Sequence, residues 1–491
     1  MVKTRRMAAE AKPEKPSQDK PNAPVKKAGN SRKSNARPKP EPEPEEKSAS
    51  PALEVKPDTE LKVKDGQEPE KPGIRNDEEP NPDAKDNSLS PPPEKREKEE
   101  FQPLCHAQAS FAVDLLQELS RQNPGSTVCS PFSLAASLAV LYGGAQGETK
   151  EEIGNLLKSK FDLKDDAVHS YFSDLLKTFS DVDYRNPDFK PTNPVSLKSA
   201  NKQFIKDGLS LHESFKSLAE TKYPGMMEQV DLQDKKTLAK KVNQWAHKTT
   251  KGVIKKIITE DEISHDSTMF FLNATYFAGF WGYKFNEKDT EKGEFRIREG
   301  DVKKVDFMHQ KADYGNFQYF DTEDFQVLRM DYRERAFATY TILPTSFKTV
   351  DQLLEDFDGP KILDLLVKTR DANCRNVKVD IKYPKFEVST DLNLDSILKP
   401  KGMESAFDVS NADFNGITSQ EPLFLKNCQQ KAYIKVSEKG TVALTFSKTL
   451  IRCGRGVFGT YRDAEFHADH PFLCFIVHDP SMTVLLAGTL T

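Results

Sequence analysis

Glu438-Lys439-Gly440-Thr441-Val442-Ala443-Leu444-Thr445-Phe446-Ser447-Lys448-Thr449 alternates small and bulky residues and contains no proline. Side chains two apart share one face of a strand, so Thr441, Ala443, Thr445 and Ser447 form a face of small residues. Val442, Leu444, Phe446 and Lys448 lie on the other. The run leads into Ile451-Arg452-Cys453-Gly454-Arg455-Gly456, a glycine-rich tip with two basic residues. A strand able to enter a sheet, followed by a tip that a protease can cut, reads as a segment that works by being cleaved.

Outward from this stretch, composition divides the 491 residues near position 101. Residues 1–100 hold 17 of the 31 prolines and no Phe, Trp or Tyr. Such a segment buries too little apolar surface to offset its chain entropy, so it is expected to be a disordered arm. Residues 101–491 carry every aromatic residue and suffice for one large domain. The arm is basic over 1–40, with 12 Lys/Arg against 3 Asp/Glu, and acidic over 41–100, with 10 against 19. Lys26-Lys27 and Arg32-Lys33 fit a short import signal or a contact to nucleic acid, as well as a plain solvated tail. A net charge of −4 does not by itself call for an anionic partner.

No apolar run is long enough to span a bilayer, so no membrane partner is expected. Met1 to Glu10 lacks the apolar centre of a signal peptide. Cys105, Cys129, Cys374, Cys428, Cys453 and Cys474 are scattered, without paired metal-type spacing. They read as reduced thiols of a cytoplasmic or nuclear protein, with secretion left open.

Helical periodicity marks 106–120, the segment from Ser130-Pro131 to Gly143-Gly144, and then 149–157, 168–179 and 238–258. After 268 the pattern becomes strand-like at 269–277, 302–308, 327–332, 337–343, 377–386, 432–436 and 472–477. Helices first and strands later indicate an α+β domain with large, mainly antiparallel sheets.

Catalytic and metal motifs find little support. Gly454-Arg455-Gly456-Val457-Phe458-Gly459 has dinucleotide-binding spacing, but no helical stripe follows it. His467, His470 and His478 fit no metal-ligand spacing, and no metal or cofactor is expected. Ser130 lacks a nucleophile elbow and reads as a helix-starting residue before Pro131. Asn273-Ala274-Thr275 is a formal glycosylation acceptor inside a strand that should be buried. The chain is not read as an enzyme.

Several ordered motifs resemble the serpin family over about 105–490. They are Ser130-Pro131-Phe132-Ser133, Tyr142-Gly143-Gly144-Ala145, Asn243-Gln244-Trp245, Asn273-Ala274-Thr275-Tyr276-Phe277-Ala278-Gly279-Phe280-Trp281, Asp413-Phe414-Asn415-Gly416-Ile417 and His470-Pro471-Phe472-Leu473. The resemblance implies three β-sheets, about nine helices and an exposed reactive loop in a monomer. It further implies that a serine protease cuts the loop, which then inserts into the main sheet. On this reading Glu438, Gly440, Thr441, Ala443, Thr445 and Ser447 are the hinge. Ser130, Ser133, Asn273, Trp281 and Gln430 lie where the sheet opens.

Two departures from the family pattern accompany the match. The hinge is less rich in Ala than usual, and Gln430 stands where His is common. Gln430 is expected to keep a contact to Asn273 or Ser133 without pH sensitivity. The residue count from Glu438 reaches Gly454, so the candidate scissile bonds are Arg455–Gly456 and then Arg452–Cys453, both suited to a trypsin-like protease. A second reading is a non-inhibitory binding protein, a chaperone or chromatin-associated factor that uses its basic arm.

Overall fold

The computed structural model describes residues 93–491 except 124, 160, 181–194, 265, 312–316, 334, 373–376 and 442–461. Most of the arm expected over 1–100 lies outside the described residues, as do Ala443, Thr445, Ser447, Arg452, Cys453, Arg455 and Gly456.

The chain begins with α1 (Pro93–Gln122), β1 (Thr127–Cys129), α2 (Pro131–Tyr142), α3 (Gly147–Lys158) and α4 (Asp165–Ser180). Next come β2 (Ser196–Lys206), α5 (Glu213–Lys222), β3 (Met227–Val230), α6 (Lys235–Thr249) and β4 (Met269–Phe280). Then follow β5 (Glu291–Arg298), β6 (Asp301–Lys311), β7 (Gln318–Asp321), β8 (Phe325–Asp331), β9 (Phe337–Pro344), α7 (Val350–Glu355) and α8 (Gly359–Asp371). The remainder is β10 (Val377–Pro384), β11 (Phe386–Asn393), α9 (Asp395–Leu398), β12 (Gln429–Ser437), β13 (Gly440–Thr441), β14 (Arg462–His467), β15 (Phe472–His478) and β16 (Thr483–Leu490). Nine α-helices and three sheets are thus present among the described residues, as the sequence reading expects.

The main sheet has six strands in the order β11-β12-β13-β4-β2-β3. A second six-stranded sheet runs β1-β16-β15-β9-β8-β7, and a four-stranded sheet runs β14-β10-β6-β5. Pairing is antiparallel except at β4–β12, β2–β3 and β10–β14. Helix α2 sits between the two large sheets. All twelve of its residues are buried, as an all-round apolar helix requires. Its start is built by Ser130, whose hydroxyl accepts from the Ser133 N–H at 3.3 Å, with Pro131 following it.

Two strands escape the apolar pattern. In β2, Asn201 and Gln203 are buried, and Gln203 donates to the Ser137 carbonyl at 2.7 Å. A satisfied polar side chain can face the core without leaving an apolar signature. β16 is buried at every residue and lies inside the second sheet, paired to β1 and β15. The strand expected over 377–386 is two strands in different sheets. Pro384 has no N–H to continue a ladder, and Lys385 instead donates its N–H to the Asp306 carbonyl at 2.8 Å.

Candidate functional site

β4 and β12 meet as parallel neighbours only at one end, where Leu272 to Tyr276 face Gln429 to Tyr433. At the other end β13 stands between them. Thr441 pairs with Gly279 on one side and Val436 on the other, while Gly440 pairs with Phe280 and Ser437. The main sheet therefore has a parting line between β4 and β12 whose upper end is already filled by two residues of a further strand.

That upper end is locked by several contacts. The Trp281 indole N–H donates to the Ser437 carbonyl at 2.9 Å, and its backbone N–H donates to the Lys439 carbonyl at 3.0 Å. Its ring stacks on Tyr332 with centroids 4.7 Å apart. Thr441 is fully buried beneath the sheet, with its hydroxyl 2.5 Å from that of Tyr332. Gly440 adopts φ +148°, and a Cβ there would fall onto the Gly279 carbonyl and within 2.8 Å of the Phe280 Cα. Only glycine fits so close a backbone approach.

Glu438 turns its side chain inward, 7% exposed, and pairs with Lys385 at 2.9 Å. The Thr290 hydroxyl donates to the same oxygen at 2.8 Å. Burial works to raise the Glu438 carboxyl, but hydrogen bonds and the Lys385 charge prevail and hold it below the usual range.

The lower end of the line carries a buried polar cluster beneath the strands. Ser133 Oγ lies 2.8 Å from Thr275 Oγ1 and 2.6 Å from Ser199 Oγ. Asn273 donates to Ser137 Oγ at 2.9 Å and to Asn201 Oδ1 at 3.1 Å. The sequence reading expects Gln430 to contact Asn273 or Ser133, but its amide is used elsewhere. It accepts from the Ser130 N–H at 2.7 Å and donates to the Ser130 carbonyl at 3.1 Å. The amide thereby meets a backbone donor and acceptor at the residue just before α2. One side chain thus joins β12 to the start of the central helix.

Asn273 is fully buried within this cluster, so the sequon it begins is out of reach of a modifying enzyme. The three C-terminal histidines go separate ways. His470 contacts the Pro344 carbonyl and Asp469, whereas His478 Nδ1 lies 2.7 Å from Ser481 Oγ. Among the described residues no group of His, Cys, Asp and Glu is arranged to hold a metal ion. Cys105, Cys129, Cys428 and Cys474 are buried and unbridged. Burial pushes the thiols of Cys129 and Cys474 up to about 12, which leaves them unreactive at neutral pH. Cys374 and Cys453 lie outside the described residues.

Comparison with known proteins bears directly on this geometry. A family model described as serpin (serine protease inhibitor) matches residues 106–491. The chain is a serpin. Among the relatives of this serpin, leukocyte elastase inhibitor A of Rattus norvegicus is 29% identical over 389 residues, covering 78% of this chain and 98% of the relative. Serpin B3 of Homo sapiens is 28% identical over 403 residues, with the same shares covered. Of solved structures, maspin superposes on this serpin with a TM-score of 0.68 at 23% identity, over 80% of this chain and 99% of maspin. Thyroxine-binding globulin in complex with thyroxine reaches 0.64 at 23% identity, over 78% and 98% of the two chains. At that identity the structural likeness concerns the fold alone.

Sequence reasoning gave Ser130, Ser133, Asn273, Trp281 and Gln430 as the sheet-opening region and Glu438, Gly440 and Thr441 as hinge, and the structure places all eight along the parting line. Sequence reasoning missed Tyr332, Lys385 and Thr290, which hold the hinge from other strands. Nothing in their local sequence signals that role, because each meets the hinge only through the fold. No helix among the described residues is long and apolar enough to cross a membrane.

Proposed function

We propose that this serpin inhibits trypsin-like serine proteases by cleavage of the segment after Thr441 and its insertion between β4 and β12. The observation that carries the reading is β13, two residues already lodged in the parting line with the small side chain of Thr441 turned under the sheet.

Continuing that register supports the rest. Counting back along β4 from Thr441 opposite Gly279, an inserted strand of the same register would set Ala443 against Phe277, Thr445 against Thr275 and Ser447 against Asn273. Directly opposed residues share a face, so Thr445 and Ser447 would join the hydroxyl and amide cluster of Ser133, Thr275, Asn273 and Gln430. Small polar side chains suit that position because their hydrogen bonds find partners there. Insertion also replaces one parallel contact by two antiparallel ladders, the slightly more stable pairing.

The covalent step follows from protease chemistry. The protease serine attacks the Arg455 carbonyl carbon, the Arg455–Gly456 bond breaks, and the leaving amine takes the proton from the protease histidine. The ester that remains tethers the enzyme while the loop inserts. Arg452–Cys453 is the second candidate bond. The relatives named for elastase leave the specificity of this chain to its own loop, and arginine in that loop is the ground for a trypsin-like target. The molecule is taken to act as a monomer in cytoplasm or nucleus, with residues 1–100 as an arm outside the domain at 101–491. Within the arm, residues 1–40 are assigned to a nucleic acid or an import receptor.

Incubation with trypsin tests the proposal. An SDS-resistant complex is expected, lost on Arg455→Ala, or on Arg452→Ala if the second bond is used. Clean cleavage without a complex, and without gain in thermal stability, would instead favour a non-inhibitory binding protein.

A further inference from the structure

Helix α6 and the segment after it contain no acidic residue from Lys235 to Thr259, yet hold eight lysines and His247. The helix is amphipathic. Leu238, Ala239, Val242 and Ala246 are buried on one side, and Trp245 meets Phe204 of β2 edge-on at 6.1 Å. The opposite side exposes Lys236, Lys240, Lys241, Gln244, His247 and Lys248.

The turn that follows extends the same surface. Gly252 donates its N–H to the His247 carbonyl at 2.7 Å, closing the helix. Asn243 then pins the next residues, donating to the Ile258 carbonyl at 2.8 Å and accepting from the Ile257 N–H at 2.7 Å. Ile254, Ile257 and Ile258 are buried, so Lys251, Lys255 and Lys256 project from an anchored backbone.

Pairing separates this surface from the rest of the molecule. Lys241 is bound to Glu228 at 2.5 Å. Lys236, Lys240, Lys248, Lys251, Lys255 and Lys256 have no carboxylate within ion-pair reach among the described residues. Acids stand at the margins, Asp231 and Asp234 before the helix and Glu260, Asp261 and Glu262 after the turn. Asp234 caps the helix by accepting from the Thr237 N–H at 3.1 Å, and Glu262 receives both the Thr259 N–H and hydroxyl. A chain of net charge −4 thus concentrates six exposed lysines without a close ion-pair partner in one anchored segment, with Asp234 near Lys236 and Glu262 near Lys256 giving only longer-range compensation.

We infer that the face of α6 together with residues 251–256 binds the phosphate backbone of duplex nucleic acid. Its cations are all lysine, point charges suited to phosphate rather than to bidentate reading of a base edge. Lys236 and Lys248 are twelve residues apart, about 18 Å along the helix, a span that crosses several phosphates. A single strand is a poorer fit because it needs exposed aromatic platforms, and Trp245 is occupied by Phe204 and by the Lys202 ammonium 5.1 Å from its ring. Binding here is sequence-independent and does not rest on protease inhibition.

The test uses the full chain and a fluorescent duplex DNA across a salt series. Lys236→Gln, Lys240→Gln, Lys248→Gln and Lys251→Gln combined should weaken binding about tenfold or more and lower the slope of log affinity against log salt by about 3 to 4. A companion variant with Lys26, Lys27, Arg32 and Lys33 changed to Gln should keep the α6 contribution to that slope. Melting temperature and complex formation with trypsin should match the parent in both. Unchanged affinity and slope in the α6 variant would overturn the inference. So would a preference for heparin or single-stranded DNA over the duplex.

Discussion

The hydroxyls of Tyr332 and Thr441 lie 2.5 Å apart beneath the main sheet, and this contact holds the second residue of β13 to the end of β8. Tyr332 also shares a hydrogen bond with Thr339 at 2.7 Å and stacks on Trp281. Tyr332→Phe should keep the ring stacking and remove the hydroxyl. The loss expected is about 1–3 kcal/mol, the usual effect of leaving buried polar groups short of a partner. Urea unfolding of the two proteins measures it, and equal midpoints would show that the contact does not hold the hinge.

Gln430 occupies a different place in the same line. Its amide satisfies both backbone groups of Ser130, and it is 1% exposed. Gln430→Leu preserves volume roughly but leaves the buried Ser130 N–H unpaired, at about 1–3 kcal/mol, while the Ser130 carbonyl keeps the Leu134 N–H at 3.1 Å. A large drop in stability is expected, with faster polymer formation on heating as β12 loosens from α2. Light scattering during a thermal ramp reads the second effect, and a variant as stable as the parent would refute the bridging role.

Acid sensitivity follows from two buried histidines. Burial lowers His478 to about 4, and lowers His169 to about 4 against partly opposing charges from Asp165 and Asp166. The unfolded chain takes up these protons from about 6.5 downward, while the folded protein waits until about 4. Between those values the unfolded state holds more protons, so this contribution to stability is lost as pH falls through the window.

Asp331 acts in the opposite sense. Burial raises it to about 6, with Arg329 and Arg335 opposing and Asp479 reinforcing the shift. The folded state then binds that proton first, and stability gains as pH falls through about 6. His478→Gln should flatten the acid-side loss, and Asp331→Asn should steepen it. Urea midpoints at pH values across the window check both slopes, and identical profiles for all three proteins would refute the assignment.

Thr445 offers the direct probe of insertion. Continued register sets it against Thr275 and the Ser133 hydroxyl, so Thr445→Arg forces a charge beneath the sheet. Trypsin should then cut the variant as a substrate, with the SDS-resistant complex reduced at least severalfold. Undiminished complex formation would show that Thr445 does not face inward.

How legible these features were in the sequence depended on the kind of signal each carries. A largely apolar run over Met269 to Phe277 marked β4, because a strand buried on both faces is apolar along most of its length. β2 was not legible: Asn201 and Gln203 look solvent-exposed until Asn273 of β4 and Ser137 of α2 supply partners for them. Thr441 could be assigned to the inward face from period-2 spacing alone. Its partner Tyr332, 109 residues earlier, could not.

By itself the sequence determined an α+β fold of the serpin kind, matched over residues 106–491, and a run of alternating small residues ahead of a basic stretch. Those properties are local, written in periodicity, turn residues and short motifs. Tertiary structure alone decided that Gln430 bridges to Ser130 rather than to Asn273 or Ser133, and that Lys385, Thr290 and Tyr332 hold the hinge. It also left six lysines of α6 and its following turn exposed and without an ion-pair partner among the described residues. Hydrogen bonds and charge pairing between distant segments depend on which strands become neighbours, and that is settled by packing of the whole core.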